Sequence, residues 1–232
     1  MKLSSVGIIP DGNRRYAKAH NMNLVQAYSA GTSRAWDMLN WISDYKDIKV
    51  GTFYTLSLEN LTRSRLELSA LLKIFDSQLD KVFKENVFEE KGIRLKFIGR
   101  ISSLPDSLRK KISMVEDYTS QFNDTVIQLA LGYSGRAEIV DAARALAIDY
   151  KQGKTGLDDL NEESFKNYLY SEARDPDLVI RTSGTKRLSG FLTYQSAYSE
   201  LYFSDKYWPE FGKKDFKKAI DSYQERKRNF GK

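Results

Sequence analysis

The chain has 232 residues, 41% of them hydrophobic and 29% charged, with a net charge of +6, a single histidine and no cysteine. This balance excludes a disordered or fibrous chain, and the length suffices for one large domain with its own core. The missing cysteines exclude disulfides, thiolate metal sites and cysteine nucleophiles, and the lone His20 excludes a multi-histidine metal centre.

No run approaches the roughly 18 apolar residues that cross a bilayer. The opening MKLSSVGIIPDG has too short an apolar region for a signal peptide and no small-residue cleavage site, so a cytoplasmic protein is expected. The positive charge favours anionic partners: nucleic acid, acidic lipid or phosphorylated small molecules. Nucleic acid ranks last, because no aromatic platform or groove-entering helix motif accompanies the charge. The basic runs Arg109, Lys110, Lys111 and Lys213, Lys214, Lys217, Lys218 read as solvated helix faces, and His20 as part of an exposed helix end.

In chain order, Val6–Ile9 reads as a strand that runs into Pro10-Asp11-Gly12-Asn13-Arg14-Arg15 and a helix. Glycine allows a close backbone approach, a helix start suits phosphate, paired arginines suit a diphosphate, and an aspartate can hold magnesium against it. An ordinary turn with an Asp or Asn cap is the alternative. Val50–Thr55 is a second strand, ending in Ser57-Leu58-Glu59-Asn60-Leu61-Thr62-Arg63. That cluster either orients a polar substrate or caps the next helix. Leu68, Leu71, Leu72, Phe75, Leu79, Val82 and Phe83 follow helical spacing and mark an amphipathic helix. Arg94–Ile98 and Val126–Leu131 read as strands, followed by a helix over 135–151 expected to turn Ile139, Val140, Ala143 and Leu146 inward. A short loop over 151–159 follows. Leu178–Arg181 is the fifth strand, ending in Thr182-Ser183-Gly184-Thr185-Lys186-Arg187-Leu188-Ser189. Its arginines and hydroxyls match a diphosphate cradle in composition, with a basic surface loop as the alternative. Leu201–Phe203 is the sixth strand, preceded by Glu200. A carboxylate there requires a salt-bridge partner or a metal.

Strand–helix alternation without repeats or linkers predicts one α/β domain over residues 1–232, with a mainly parallel six-stranded sheet surrounded by helices. In such sheets ligands bind outside the carboxyl ends of the strands.

Five ordered motifs, IIPDGNRRYA, SLENLTR, LALGYSGRAEIV, DLVIRTSG and YSELYFSDKYWPEF, together resemble the undecaprenyl diphosphate synthase, or cis-prenyltransferase, family. The resemblance spans Val6 to Gly231. It implies the family's six-stranded parallel fold, normally dimeric, and an enzyme that adds isopentenyl diphosphate to an allylic prenyl diphosphate with Mg2+. It implies Asp11 as the catalytic aspartate governing magnesium and Glu200 as the second metal ligand. Gly12, Asn13, Arg14 and Arg15 would form the allylic diphosphate loop, with Tyr16 and Tyr28 beside it. Arg181, Arg187 and Ser189, with Leu188, would hold isopentenyl diphosphate. Ser57, Leu58, Glu59, Asn60, Leu61 and Arg63 would order over the substrates. Asn60 matches the family's proposed proton acceptor, but an amide is too weak a base, so an orienting hydrogen bond is assigned to it. The tail would lie in an apolar tunnel along the Leu68–Phe83 face, and peripheral membrane contact would assist product release.

The departures are specific. The family usually has methionine at Pro10, glycine at Arg14, tryptophan at Tyr16, histidine at Tyr28 and often arginine at Leu24. PDGNRRYA resembles archaeal members, which build glycosyl carrier lipids from geranylgeranyl diphosphate. The family's C-terminal Arg-x-Gly, which reaches a partner's site, is Asn229-Phe230-Gly231 here, so Arg228 or a different subunit would supply the arginine. Either a homodimer or a heteromer is therefore open, as is a short or branched product from non-head-to-tail coupling. Asp158-Asp159-Leu160-Asn161-Glu162 is similar to the aspartate-rich box of trans-prenyltransferases, but those use two boxes on an all-α fold. It reads as a helix start.

Overall fold

Six buried or half-buried apolar runs form the centre of the molecule in the computed structural model, which describes residues 2–62, 64–171 and 173–225. They are β1 (Ser5–Ile9), β2 (Val50–Ser57), β3 (Ile93–Ile98), β4 (Thr125–Tyr133), β5 (Leu178–Arg181) and β6 (Glu200–Phe203). All pair in parallel, in the order β3-β4-β2-β1-β5-β6. The sheet is thus parallel throughout, as the alternation predicts. β1 and β5 are buried at every position, as expected of inner strands with both faces covered. The chain winds from β1 to β2 on one side and reaches β5 on the other. The crevice beyond the carboxyl ends of β1 and β5 is therefore the switch point where ligands bind in open parallel sheets.

The helices are α1 (Asn13–Ala19), α2 (Leu24–Asp44), α3 (Arg65–Val82), α4 (Val87–Glu90), α5 (Asp106–Thr119), α6 (Gly135–Lys151), α7 (Glu162–Lys166) and α8 (Lys213–Glu225). Asn23 caps α2 in a reciprocal capping box with Gln26. The predicted helix at Leu68 begins one turn earlier, because the Ser64 hydroxyl accepts from the Glu67 backbone N–H. The Asp158–Glu162 tract leads into α7, capped by the Asn161 side chain. Ile8, Met38, Ile42, Phe53, Leu79, Val115, Ile127 and Phe216 belong to the main core. A smaller cluster centres on Tyr54, Tyr133 and Phe191, whose rings pack 5.0 to 6.3 Å apart. Among the described residues no helix is long and apolar enough to cross a membrane.

The expected inward face of α6 is wrong. Val140 and Ala143 are exposed, Ile139 and Leu146 only half-buried, and the buried positions are Gly135, Glu138 and Ala142. Close approach at one glycine and one buried carboxylate dock this helix, in place of an apolar stripe. A Cβ on Gly135 would lie 2.4 Å from Thr193 Oγ1 and 2.8 Å from the Gly190 carbonyl. The Glu138 carboxylate accepts from the Tyr133 hydroxyl, from Gln195 Nε2 at 3.1 Å and from the Tyr170 N–H at 3.0 Å.

Burial raises the Glu138 pKa above its ordinary value, and these hydrogen bonds oppose the rise only in part. A carboxyl whose folded pKa is raised contributes stability that is present below its unfolded pKa and lost as pH rises through the folded value. The melting temperature of wild type minus that of Glu138→Gln is therefore expected to rise as pH falls from about 7 to about 5. Thermal unfolding of both proteins across this range checks the sign; a difference that falls on acidification contradicts it.

Candidate active site

β1 delivers Asp11 and β5 delivers Arg181 to the switch-point crevice, and the two side chains meet there. Arg181 Nη2 donates to Asp11 Oδ2 at 2.7 Å, and Arg15 Nη2, one helical turn past Asp11, lies 3.4 Å from the same oxygen. The other terminal Arg181 nitrogen, Nη1, donates to the Arg187 carbonyl and to Ser189 Oγ at 2.8 Å. Arg15 also donates to the Ser183 carbonyl at 2.9 Å and to Thr185 Oγ1 at 3.3 Å. The Asp11 carbonyl accepts from Thr182 Oγ1 at 2.6 Å and from the Trp208 N–H at 3.1 Å. The Asp11 backbone is thus held independently of its carboxylate.

Gly12 makes the turn possible. Its φ is +110°, and a Cβ there would meet Ser183 Cβ at 2.9 Å and the Tyr207 ring at 3.0 Å. Across the crevice Ser183 and Ser189 hold positive φ of 80° and 53°, a conformation that non-glycine residues keep only where surrounding contacts enforce it. The Tyr54 hydroxyl enforces one of them by donating to the Ser189 carbonyl at 3.2 Å and the Tyr133 carbonyl at 3.3 Å. Burial, and next the neighbouring Glu59 carboxylate, push the Tyr54 pKa up to about 12, which keeps it a donor at neutral pH.

These residues wall a polar cavity. Asp11, Gly12, Asn13, Arg14, Arg15, Tyr28, Ser57, Glu59, Asn60, Arg181, Arg187 and Ser189 all line it. Arg136, Ser134, Tyr54 and Thr55 line it as well, and sequence reasoning assigned them no role. Arg136 was legible: it follows β4, and the same strand-end rule that singled out Arg181 applies to it. Three buried polar atoms at this crevice, Arg181 Nε, Ser183 Oγ and Asn13 Oδ1, make no protein hydrogen bond. The Arg181 Nε–H and the Ser183 hydroxyl are donors that, beside several guanidinium groups, suit a multiply charged oxyanion, whereas Asn13 Oδ1 is an acceptor.

Other expected site residues lie elsewhere. Tyr16 packs its ring against His20, with centroids 4.2 Å apart and the planes tilted by 36°. Leu61 packs against the main core and Leu188 against the smaller one. Leu58 is held through its backbone N–H to the Tyr133 carbonyl at 2.9 Å. Arg63 and the Arg228–Gly231 segment fall outside the described residues. Glu200 does not join Asp11 within one chain. It opens β6 opposite Leu178, whereas Arg181, the partner of Asp11, sits three residues further along β5, roughly 10 Å along the sheet at strand rise. Two carboxylates on one magnesium must approach far more closely. Among the described residues no three Asp, Glu or His side chains converge into a metal-binding cluster.

A second, apolar cavity adjoins the first. Leu72, Phe75, Leu79 and Val82 of α3 face Leu39 of α2 and Phe53, Leu95 and Ile127 of the sheet across it. Pro10, Asn13, Tyr28, Thr55, Leu56 and Leu71 line both cavities. Tyr28 stands at this junction and donates to Glu67 Oε1 at 2.6 Å, joining α2 to the first turn of α3.

Known proteins share this arrangement of sequence and fold. The sequence model of the family described as "Putative undecaprenyl diphosphate synthase" matches residues 9–231. The tritrans,polycis-undecaprenyl-diphosphate synthase (geranylgeranyl-diphosphate specific) of Thermoplasma acidophilum is 45% identical over 228 residues, covering 98% of this chain and 88% of that protein. The enzyme of the same description from Sulfurisphaera tokodaii is 43% identical, covering 97% and 87%. Among solved structures, lavandulyl diphosphate synthase from Lavandula x intermedia, in complex with dimethylallyl diphosphate, superposes with a TM-score of 0.95. It is 33% identical, and the match covers 100% of this chain and 99% of that one. A probable undecaprenyl diphosphate synthase from Campylobacter jejuni gives a TM-score of 0.83 at 31% identity, with both chains fully covered.

Proposed function

The chain belongs to the undecaprenyl diphosphate synthase family of cis-prenyltransferases, and from that premise we propose that it condenses isopentenyl diphosphate with an allylic prenyl diphosphate to give a Z-polyprenyl diphosphate. One observation carries the reading: an arginine-lined polar cavity adjoins an apolar one, with six residues shared between their walls. An anionic head on a hydrocarbon tail is the ligand such a pair of cavities fits. The archaeal relatives named as geranylgeranyl-diphosphate specific undecaprenyl-diphosphate synthases support that primer here, and a glycosyl carrier-lipid precursor as product is part of the same proposal.

In the proposed reaction the bond between the allylic C1 and its diphosphate oxygen breaks. The double-bond electrons of isopentenyl diphosphate form the new carbon–carbon bond to C1. A proton then leaves C2 of the former isopentenyl unit, and the products are the longer prenyl diphosphate, inorganic diphosphate and that proton. Arg15 and Arg181 would stabilise charge on the departing diphosphate, the largest kind of contribution in such a site. Arg136, Arg187 and Ser189 would hold the second diphosphate. Asn60, whose backbone N–H donates to Ser57 Oγ at 3.1 Å, would orient the substrate by its amide while a diphosphate oxygen takes the proton.

Magnesium fits this site through one carboxylate. Mg2+ is commonly held by one or two carboxylates together with substrate phosphate oxygens, and Asp11 supplies one beside the diphosphate-binding arginines. When bound, the ion would neutralise charge on the leaving diphosphate. Glu200 of the same chain is left out of this proposal.

Non-head-to-tail coupling to a short branched product is a second reading, supported by the close superposition on lavandulyl diphosphate synthase. A homodimer is also proposed, supported by the exposed Val140, Ile148 and Tyr150 on α6. Incubation of purified protein with labelled isopentenyl diphosphate and geranyl, farnesyl, geranylgeranyl or dimethylallyl diphosphate, followed by product sizing, tests the function. A ladder of Z-polyprenyl products from geranylgeranyl diphosphate is expected, abolished by chelation and restored by magnesium. A branched ten-carbon product from dimethylallyl diphosphate alone favours the second reading. Undiminished turnover after chelation contradicts the magnesium assignment.

A further inference from the structure

Tyr54 stands where three strand-end loops meet, and the chemistry proposed above makes no use of its hydroxyl. The ring is buried against Phe191, with centroids 5.0 Å apart, and meets Tyr133 edge-on at 5.9 Å. This packing sets the hydroxyl between the Ser189 carbonyl at 3.2 Å and the Tyr133 carbonyl at 3.3 Å. A hydroxyl has one hydrogen to donate, so the two acceptors share it, and both distances exceed the ordinary O–H···O length accordingly. The Tyr133 carbonyl also accepts from the Leu58 N–H at 2.9 Å. Three loops are thereby joined at one point. The loop after β2 carries Glu59 and Asn60 to the polar cavity, the one after β4 carries Arg136, and the one after β5 carries Arg187 and Ser189. The Gly135 N–H binds the Gly190 carbonyl at 2.7 Å, a second tie between the last two loops that does not involve the tyrosine. The Asp11 turn is anchored separately, through Thr182 and Trp208.

We infer that Tyr54 is a positioning residue for the isopentenyl substrate: its shared hydrogen fixes the Ser189 peptide against the end of β4, and so keeps Arg187 and Ser189 on one loop and Arg136 on the other arranged around one diphosphate. The Ser189 peptide needs such a hold, because its φ of 53° is costly for a residue with a Cβ. Without the hydroxyl, Gly135 and Arg181 still retain the loop, so the pocket loosens and the fold survives. The allylic side, built on Asp11 and Arg15, is left as it is. The inference rests on the reading above, which puts the second diphosphate among Arg136, Arg187 and Ser189, and adds the group that sets the geometry of that pocket.

The test is Tyr54→Phe, which keeps the ring and removes the oxygen. With geranylgeranyl diphosphate saturating, the KM for isopentenyl diphosphate is expected to rise about five- to ten-fold, the scale of one hydrogen bond. The KM for geranylgeranyl diphosphate stays within about two-fold and kcat within about three-fold, as for lost binding rather than lost chemistry. In the Ser189→Ala background the same substitution is expected to raise the isopentenyl KM by clearly less, because the two act through one loop. Melting temperatures of all variants are followed alongside. Equal rises in both Michaelis constants, or a lowered melting temperature with both constants unchanged, overturn the inference by making the hydroxyl a structural group only. Rises of equal size in the two backgrounds overturn it as well. Calorimetric titration with isopentenyl diphosphate reads the same pocket without turnover. Binding that Tyr54→Phe weakens, with no product from wild type, upholds the positioning role and speaks against the function proposed above. No binding of isopentenyl diphosphate to wild type overturns both.

Discussion

Replacing Asp11 by alanine is expected to lower kcat by about a thousand-fold or more, while the Michaelis constants for both diphosphates stay within a few-fold of wild type. The size follows from the several kcal/mol that charge neutralisation on a leaving group supplies, at about 1.4 kcal/mol per factor of ten. The split between kcat and KM follows from geometry. The Asp11 carboxylate occupies Arg181 and Arg15 through one oxygen, so its removal frees two guanidinium groups for phosphate. The fold is expected to survive, because the Asp11 carbonyl, not its side chain, holds Thr182 and Trp208. Steady-state kinetics with both substrates, alongside circular dichroism, decide the matter. A folded variant with near-normal kcat and a large rise in KM would remove Asp11 from the chemistry.

Replacing Arg181 by alanine is expected to cost both activity and stability. This side chain is buried and ties β5 to two segments through three partners: Asp11 after β1, and the following loop at the Arg187 carbonyl and Ser189 Oγ. Its loss leaves the half-buried Asp11 carboxylate without its closest cation and releases the loop whose Ser183 and Ser189 hold positive φ. Breaking a buried ion pair from one side destabilises by about 3–5 kcal/mol, and the partial exposure of Asp11 places this case at or below the lower end. A fall in kcat/KM of about a hundred-fold to a thousand-fold is expected as well. Arg181→Lys restores the charge but not the fork, so it recovers stability more than activity. Equal recovery of both would show that Arg181 acts as a point charge.

The strands were legible in the sequence because each is a short apolar run bounded by turn residues, and all six lie within three residues of their expected limits. The crevice was legible for the same reason: strand-end loops of a parallel sheet converge, and the polar motifs at Asp11, Ser57 and Arg181 follow strands that neighbour one another. Three features were not. The face of α6 is set by contact between Gly135 and the Gly190–Thr193 segment and by the buried Glu138, partnerships that no periodicity reports. The separation of Glu200 from Asp11 depends on register across β1, β5 and β6, which is fixed only when the strands pair. The positions of Leu61 and Leu188 illustrate a third limit: residues inside a functional loop alternate between cavity and core, and only packing tells which is which.

A crystal structure of the protein with magnesium and a non-hydrolysable geranylgeranyl thiolodiphosphate puts the whole scheme to proof. The diphosphate should lie within hydrogen-bonding distance of Arg15 and Arg181, with the tail along Leu72, Phe75 and Leu79 of α3. A ligand whose head group lies away from these arginines, or whose tail lies outside the apolar cavity, would contradict it.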